Sequence, residues 1–404
     1  MHFSISNSDV KISRAAAKHV NSVQRQGAAY VTWIIVGILI GLSVVAAVNV
    51  IMDPFAQRWP RLFPKLSPDF EFHDREVRIN LTHHRRPQFI ILGNSRTQHG
   101  LDPQSESIRK WMPFNASFAG ATPKEVVIFL RELQNEHWAH AIIGLDFFML
   151  WPDPEVHINS KLLVTSPFSM LNRVQTSVSF AATLASIRSI ARRPSYVDDA
   201  GATTESLFRR NEAALGGRTA ATLFLEKQLV RNMRRLSLDA NFFIEFDEML
   251  KLLCRSQTDI VVLMPPAHVR QLTIYHALGE WGRFEDWKRK IVQISGRFHE
   301  CPISVWDFAT YNSVTTQDFS DPASPGGYDW FWEVSHFRKA IGDEVLGIVY
   351  GDIPEHNNLE LGALLRDEML EEHLTVQRRL QTYYENKLSQ MTDEIRLITR
   401  ELGR

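Results

Sequence analysis

Residues 28–52 read AAYVTWIIVGILIGLSVVAAVNVIM and carry no charge. Crossing the hydrocarbon core of a bilayer takes about 20 apolar residues, so this run is long enough for one span. Inside the bilayer only a helix satisfies all of its own backbone groups in a single segment. Tyr30 and Trp33 stand at the start of the run, where amphipathic rings prefer the membrane interface. The preceding residues 1–27 carry Lys11, Arg14, Lys18 and Arg25 against Asp9 alone. Positive charge is retained on the cytoplasmic side, so the N-terminal segment is expected inside the cell and everything after Asp53 outside the cytoplasm. A cleaved signal peptide is the rival expectation. The length of the apolar run and the lack of a clean A-x-A site after it favour a retained anchor.

The chain has 404 residues, enough for one large domain with appendages. Its 45 Lys and Arg nearly balance its 46 Asp and Glu, for a formal net charge of -1. No global positive excess points to a nucleic-acid partner. There are two cysteines, Cys254 and Cys301, and no CxxC or Cys/His cluster, so neither a structural metal nor any other cofactor is expected. Each cysteine stands just before an expected strand. In an oxidising compartment the two can pair at one edge of a sheet. The alternative is two separate, partly buried thiols, because spacing alone does not set their separation.

Four short apolar runs read as buried parallel strands: Phe89–Leu92, Ala141–Leu145, Ile260–Met264 and Ile303–Trp306. Phe114–Ser117 is a weaker fifth. Strands alternating with helical patterns define an α/β class with a mainly parallel sheet, whose ligands bind at the carboxyl ends of the strands. Residues 155–250 interrupt the alternation and read as a helical insertion that can roof such a site. Between Glu155 and Arg235 there are 12 Lys and Arg against 6 Asp and Glu. That excess suits an anionic partner or, equally, a solvated helix surface. The main extracytoplasmic domain is expected to span 53–355. In residues 356–404, Tyr384, Leu388, Met391, Ile395, Ile398 and Leu402 recur in steps of four and three. This makes a seam about three heptads long, which expects a C-terminal helix that packs on the domain or meets a membrane-protein partner as a coiled coil.

The first run feeds straight into Gly93-Asn94-Ser95-Arg96. A strand ending in Gly-x-Ser places a hydroxyl at the carboxyl edge of the sheet, with glycine permitting the tight backbone. The N–H groups of a helix starting there can stabilise an oxyanion. A plain N-cap serine is the alternative. Far along the chain stands Tyr328-Asp329-Trp330-Phe331-Trp332-Glu333-Val334-Ser335-His336-Phe337. A serine hydroxyl needs a base to take its proton, and His336 is the candidate. Glu333, three residues earlier, is placed to orient the imidazole and stabilise its charged form.

Together these blocks resemble the SGNH/GDSL hydrolase family over roughly residues 30–350. Gly93-Asn94-Ser95-Arg96 is similar to its nucleophile block, and Glu333-Val334-Ser335-His336 to its Asp-x-x-His block, with Glu for Asp. Gly120, in Asn115-Ala116-Ser117-Phe118-Ala119-Gly120, matches the glycine whose N–H serves the oxyanion hole. Gly144-Leu145-Asp146-Phe147 stands where the family has Gly-x-Asn-Asp, so Asp146 replaces an asparagine donor with an acceptor. Arg96 is a substitute cation for that hole or a partner for Asp146; Asp146 can also serve as a helix cap. The resemblance is closer to a membrane-anchored branch linked to exopolysaccharide O-acetylation. Asn49-x-x-x-Asp53-Pro54, Gly-Asn-Ser-Arg, Gly-Leu-Asp-Phe and Pro265-Pro266-Ala267-His268 carry it. His268, at another strand end, is a candidate substrate contact or an ordinary loop histidine.

The resemblance implies a three-layer α/β/α fold and a Ser95–His336–Glu333 triad. It implies a serine esterase or O-acyltransferase acting on an envelope or secreted polysaccharide, with the polymer and an acyl donor as its substrates. The setting implied is a bacterial inner membrane, with the domain in the periplasm. The alternative is a non-catalytic scaffold or glycan-binding component of a polysaccharide assembly, which the aspartate at 146 favours.

Overall fold

The computed structural model describes residues 7–58, 62–63, 68–152, 170–191, 197–198, 200–255, 257–317, 330–351 and 361–402. Parts of the expected insertion (155–169, 192–196 and 199), Tyr328 and Asp329 of the histidine block, and the start of the expected tail (356–360) lie outside them. The chain opens with α1 (Asn7–Met52), a single helix that begins well before the apolar run. Its portion Arg25–Met52 is long and apolar enough to cross a membrane, with most of that surface uncovered by protein.

The sheet has six strands in the order β2-β1-β3-β4-β5-β6: β1 (Phe89–Leu92), β2 (Pro113–Asn115), β3 (His140–Gly144), β4 (Asp259–Met264), β5 (Ile303–Asp307) and β6 (Ala363–Leu365). The first five are mutually parallel and β6 closes the edge antiparallel to β5. Successive residues of a strand point to opposite faces. Ile90, Leu92, Ile143 and Val262 enter one apolar cluster, while Phe89, Ile91, Ile142 and Val261 enter another. Both faces are therefore covered, which is why these strands read as unbroken apolar runs rather than alternating ones.

The larger face is covered by α2 (Phe70–Arg85), α4 (Pro123–Glu132), α9 (Phe242–Cys254) and α11 (Trp281–Ser295). On the smaller face lies α12 (Lys339–Tyr350). Thr122 and Glu125 form a reciprocal capping box that, with Pro123 in the first turn, sets where α4 begins. The last part of the expected insertion belongs to the α/β core. Phe242, Phe246, Met249, Leu250 and Leu253 of α9 are fully buried, against the sheet and α4. What remains is α5 (Met170–Ser177), α6 (Phe180–Ala191), α7 (Glu205–Ala214) and α8 (Arg218–Arg235).

Cys254, at the end of α9, and Cys301, before β5, form a disulfide with Cα atoms 5.6 Å apart. It joins a helix of the larger face to the sheet. The bridge closes a 47-residue separation, for which loop-closure entropy gives about 4 kcal/mol.

The tail departs from the single helix expected within 356–404. Ala363–Leu365 pairs as β6, and the helical part divides into α13 (Asp367–Lys387) and α14 (Ser389–Glu401) with Leu388 between them out of helical geometry. The seam does not make a coiled coil. Ile395 and Ile398 are buried, and Tyr384, Leu388, Met391 and Leu402 pack against the same core as the sheet. α10 (Val269–Ala277) and α8 receive α14, with Arg270 paired to Glu394 at 3.2 Å and Arg234 donating to the Thr399 carbonyl at 3.0 Å. The periodicity was that of an apolar face, and the chain covers that face itself.

Candidate active site

The strand order reverses direction between β1 and β3, the switch point where α/β sheets open a crevice at their carboxyl ends. Ser95 follows β1 as the first residue of α3 (Ser95–Gly100), and Asp146 follows β3. Asn94 caps α3, its side chain accepting from the Arg96 N–H at 3.1 Å. Ser95 is thus not the cap, and its hydroxyl is left for another partner. Gly93 takes φ +153°, and a Cβ there would meet Thr97 and the Gly144 carbonyl.

That partner comes from 241 residues away. His336 Nε2 lies 3.0 Å from Ser95 Oγ, and His336 Nδ1 bonds Glu333 Oε1. A carboxylate can only accept, so Nδ1 carries the proton and Nε2 is the acceptor for the serine hydroxyl. The other Glu333 oxygen accepts from the Ser335 N–H at 2.6 Å, and the carboxylate is buried. Glu333 therefore holds the imidazole by one oxygen and its own loop by the other.

Three features bring this loop onto Ser95. A Cβ on Gly100 would strike the Phe337 ring, and one on Gly342 would strike the Gly100 carbonyl, so only glycines let α3 and α12 approach this closely. The loop is closed on itself by Trp332 N–H to His336 carbonyl at 2.9 Å and Arg338 N–H to Trp330 carbonyl at 2.8 Å. From the insertion, Arg218 donates to the Phe331 and Trp332 carbonyls, and Phe208 stacks on Trp332 at 4.8 Å. Sequence reading missed Arg218 and Phe208; neither stands in a motif, and their contacts span more than 110 residues. It also missed His99, whose ring packs edge-on 5.2 Å from that of His336. Burial first, then the neighbouring His336 and Arg78 charges, push His99 well below the ordinary histidine range. It is neutral at physiological pH.

Ser95 and His336 open on a cavity of about 240 Å³. Gly120, Arg96 and Asp146 line it as well, so six of the seven residues singled out from sequence converge here, counting Glu333 behind His336. Its further wall comes from Phe148, Met149 and Trp151 after β3, from Leu225, Gln228, Leu229 and Asn232 of α8, and from Gln271 of α10. The insertion does roof the site.

Asp146 and Arg96 form a pair at 2.8 Å, both nearly inaccessible. Asp146 also caps the short turn Phe147–Leu150, accepting from the Phe148 N–H at 3.2 Å. Arg96 donates on to the Pro266 carbonyl, beyond β4. The two alternatives for Asp146, a cap and a partner for Arg96, therefore both hold. Its negative charge is offset beside the serine, and the guanidinium ties three strand ends together. His268 is not among the residues lining the cavity. It caps α10, its Nδ1 accepting from the Arg270 N–H at 3.3 Å while Nε2 meets the Gln317 carbonyl at 2.8 Å. Of the two roles open to it from sequence, the structure favours the one without a substrate: His268 is a buried strut.

Asn49 and Asp53, of the expected membrane exit motif, are structural too. Asp53 accepts from the Gln57 and Arg58 N–H groups at 2.8 and 3.1 Å, closing the turn after α1.

Fold and site together define an α/β protein with a hydrogen-bonded serine–histidine–glutamate chain at the switch point of a mainly parallel sheet. Comparison with models of known protein families finds no match, and comparison with curated proteins finds no similar sequence.

Proposed function

We propose that this protein is a membrane-anchored serine esterase or O-acyltransferase of the SGNH/GDSL type, with the family's three-layer arrangement. Its substrate in this reading is an acyl ester of a cell-envelope or secreted polysaccharide, or an acyl donor for one. The observation that carries it is the 3.0 Å approach of Ser95 Oγ to His336 Nε2, with Glu333 on the other ring nitrogen. Serine is a weak nucleophile until a base within hydrogen-bond reach takes its proton. In this mechanism Ser95 Oγ attacks the ester carbonyl as its proton passes to His336. The Gly120 N–H serves the oxyanion, and His336 returns the proton to the departing alcohol. The acyl-serine then passes to water or to a sugar hydroxyl, with His336 deprotonating the acceptor. Polar amides at Gln228, Asn232 and Gln271 beside Trp151 suit a sugar face, and a cavity of about 240 Å³ suits a short acyl group rather than a long chain.

The same reading places the protein in a bacterial inner membrane, N-terminus inside, with the catalytic domain in the periplasm. The disulfide supports an oxidising compartment. The test is acyl release from a short-chain p-nitrophenyl ester by the full chain, followed by partition of the acyl group between water and an oligosaccharide acceptor. Turnover that disappears in Ser95→Ala supports the proposal. A folded protein inert toward every activated ester leaves the non-catalytic, glycan-binding alternative.

A further inference from the structure

We infer a second membrane contact: the α5–α6 hairpin lies in the outer interface of the bilayer that α1 crosses, so that the domain is held by two elements rather than by a single tether. The inference rests on α1 being a membrane span.

Asn49, three residues before the end of α1, is buried and fully engaged by the hairpin. Its amide donates to the Ser177 carbonyl at 2.8 Å and meets Thr183 Oγ1 at 3.0 Å, while its carbonyl accepts from Ser186 Oγ at 3.0 Å. At 1.5 Å rise per residue, Asn49 is about 4.5 Å from the end of the helix. The hairpin is therefore joined to the last turn of the span, at the depth where the apolar core gives way to headgroups. Ala182 and Ala185 of α6 pack with Phe55, just beyond the span, in a small apolar cluster of their own.

The face of α6 turned away from α1 is apolar and open. Phe180 is 81 %, Ile187 58 % and Ile190 53 % exposed. Phe180 and Ile187 are seven residues apart and share one side of the helix. Val174 of α5 and Val178 in the turn between the helices are exposed as well. The one charged residue of α6, Arg188, is paired with Asp69 at 3.3 Å. An apolar stripe of this kind on a water-exposed domain marks an interaction site. Here the hairpin that carries it is fixed to the last turn of α1, where Val48 and Ile51 are also exposed, and the occupant it fits is the bilayer that α1 crosses.

The test uses the full chain reconstituted in phosphatidylcholine–phosphatidylglycerol vesicles. Because Cys254 and Cys301 are bridged, an introduced cysteine is the sole thiol to label with an environment-sensitive fluorophore. Phe180→Cys and Ile187→Cys are read against Ile38→Cys within α1 and Tyr383→Cys on the exposed side of α13. The expected result is loss of Phe180 and Ile187 emission to nitroxide-bearing lipid with little loss to aqueous iodide, as at Ile38, and the reverse at Tyr383. Quenching of Phe180 and Ile187 by iodide while Ile38 answers to lipid would overturn the hairpin contact and keep the span. Shielding of both positions from both quenchers would assign the face to a second copy or a protein partner, and also overturns it. Ile38 unquenched by lipid would overturn the span and the inference with it.

Discussion

Of the histidine–carboxylate pairs in this domain, two with buried carboxylates, His336–Glu333 and His373–Asp307, do different things. His336 bonds buried Glu333, and its remaining nitrogen faces the Ser95 hydroxyl at the mouth of a cavity. His373 bonds buried Asp307 at 2.9 Å, but Asp307 is shared with the Lys288 ammonium and accepts from the Ala309 N–H at 3.0 Å. Lys288 also donates to the Ala309 carbonyl at 3.1 Å. Burial alone would push the Asp307 carboxyl up; the Lys288 charge and the His373 bond outweigh it and hold it below its usual range. That second cluster is a sealed strut pinning α11 and α13 to the end of β5, and neither Asp307 nor Lys288 opens on a described cavity. A histidine beside a carboxylate is thus not a site. A hydroxyl on the far ring nitrogen and an adjoining cavity make the difference.

The comparison breaks most easily by removing each histidine in turn. On the proposed esterase reading, His336→Ala is expected to lower ester turnover on the order of 10⁴-fold, because the members of such a triad act as a unit. His373→Ala should leave turnover per folded molecule little changed. Equal losses in the two variants would erase the distinction.

Removing a cation from the strut should show in stability instead. Lys288→Met removes the ammonium from buried Asp307 and leaves it only the His373 ring and the Ala309 N–H, at a cost of up to about 3–5 kcal/mol. Chemical denaturation should report this fall, with Ser95 chemistry intact in the protein that remains folded. Ser95→Ala should leave the denaturation midpoint nearly unmoved.

A smaller effect is expected at Asp146→Asn. Were Asp146 aimed at the oxyanion, the change would supply a donor and raise turnover. With one oxygen on Arg96 and the other on the Phe148 N–H, it should instead weaken a buried ion pair, costing about 1–3 kcal/mol with no gain in rate. Denaturation and ester turnover measured together decide this. An increase in turnover would mean that the carboxylate reaches the reacting centre.

The smallest effect concerns pH. Folded His99 is held well below its ordinary range by burial and by the neighbouring His336 and Arg78 charges, whereas unfolded His99 takes up a proton near pH 6.5. The unfolded chain therefore binds more protons as pH falls through about 6.5, and stability falls with it. His99→Gln should flatten that acid slope by up to one proton, read from denaturation midpoints between about pH 7 and 5.

Much of this architecture is legible in the sequence, for physical reasons that also mark where legibility ends. β1, β3 and β4 are buried on both faces and leave continuous apolar runs at nearly the observed boundaries. β6 is three residues long, with Ala363 and Leu364 only half-buried, and leaves no such run. Ser95 and the Glu333–His336 pair are readable because a strand end and an i,i+3 spacing are local facts. The Arg218 and Phe208 clamps on the histidine loop, and the saturation of His268 and Asp146, depend on contacts between distant segments that no periodicity records. The seam from Tyr384 to Leu402 shows the same limit. Periodicity reveals an apolar face but not what covers it.

The claim that Ser95 is an activated nucleophile is tested most directly by an alkyl fluorophosphonate, which reacts with a hydroxyl only when a base has raised its nucleophilicity. Intact-mass analysis of the full chain should show one adduct, mapped to Ser95, absent from Ser95→Ala, strongly slowed in His336→Ala and unaffected in His373→Ala. A folded protein that stays unlabelled, or labels elsewhere with Ser95 untouched, would contradict it.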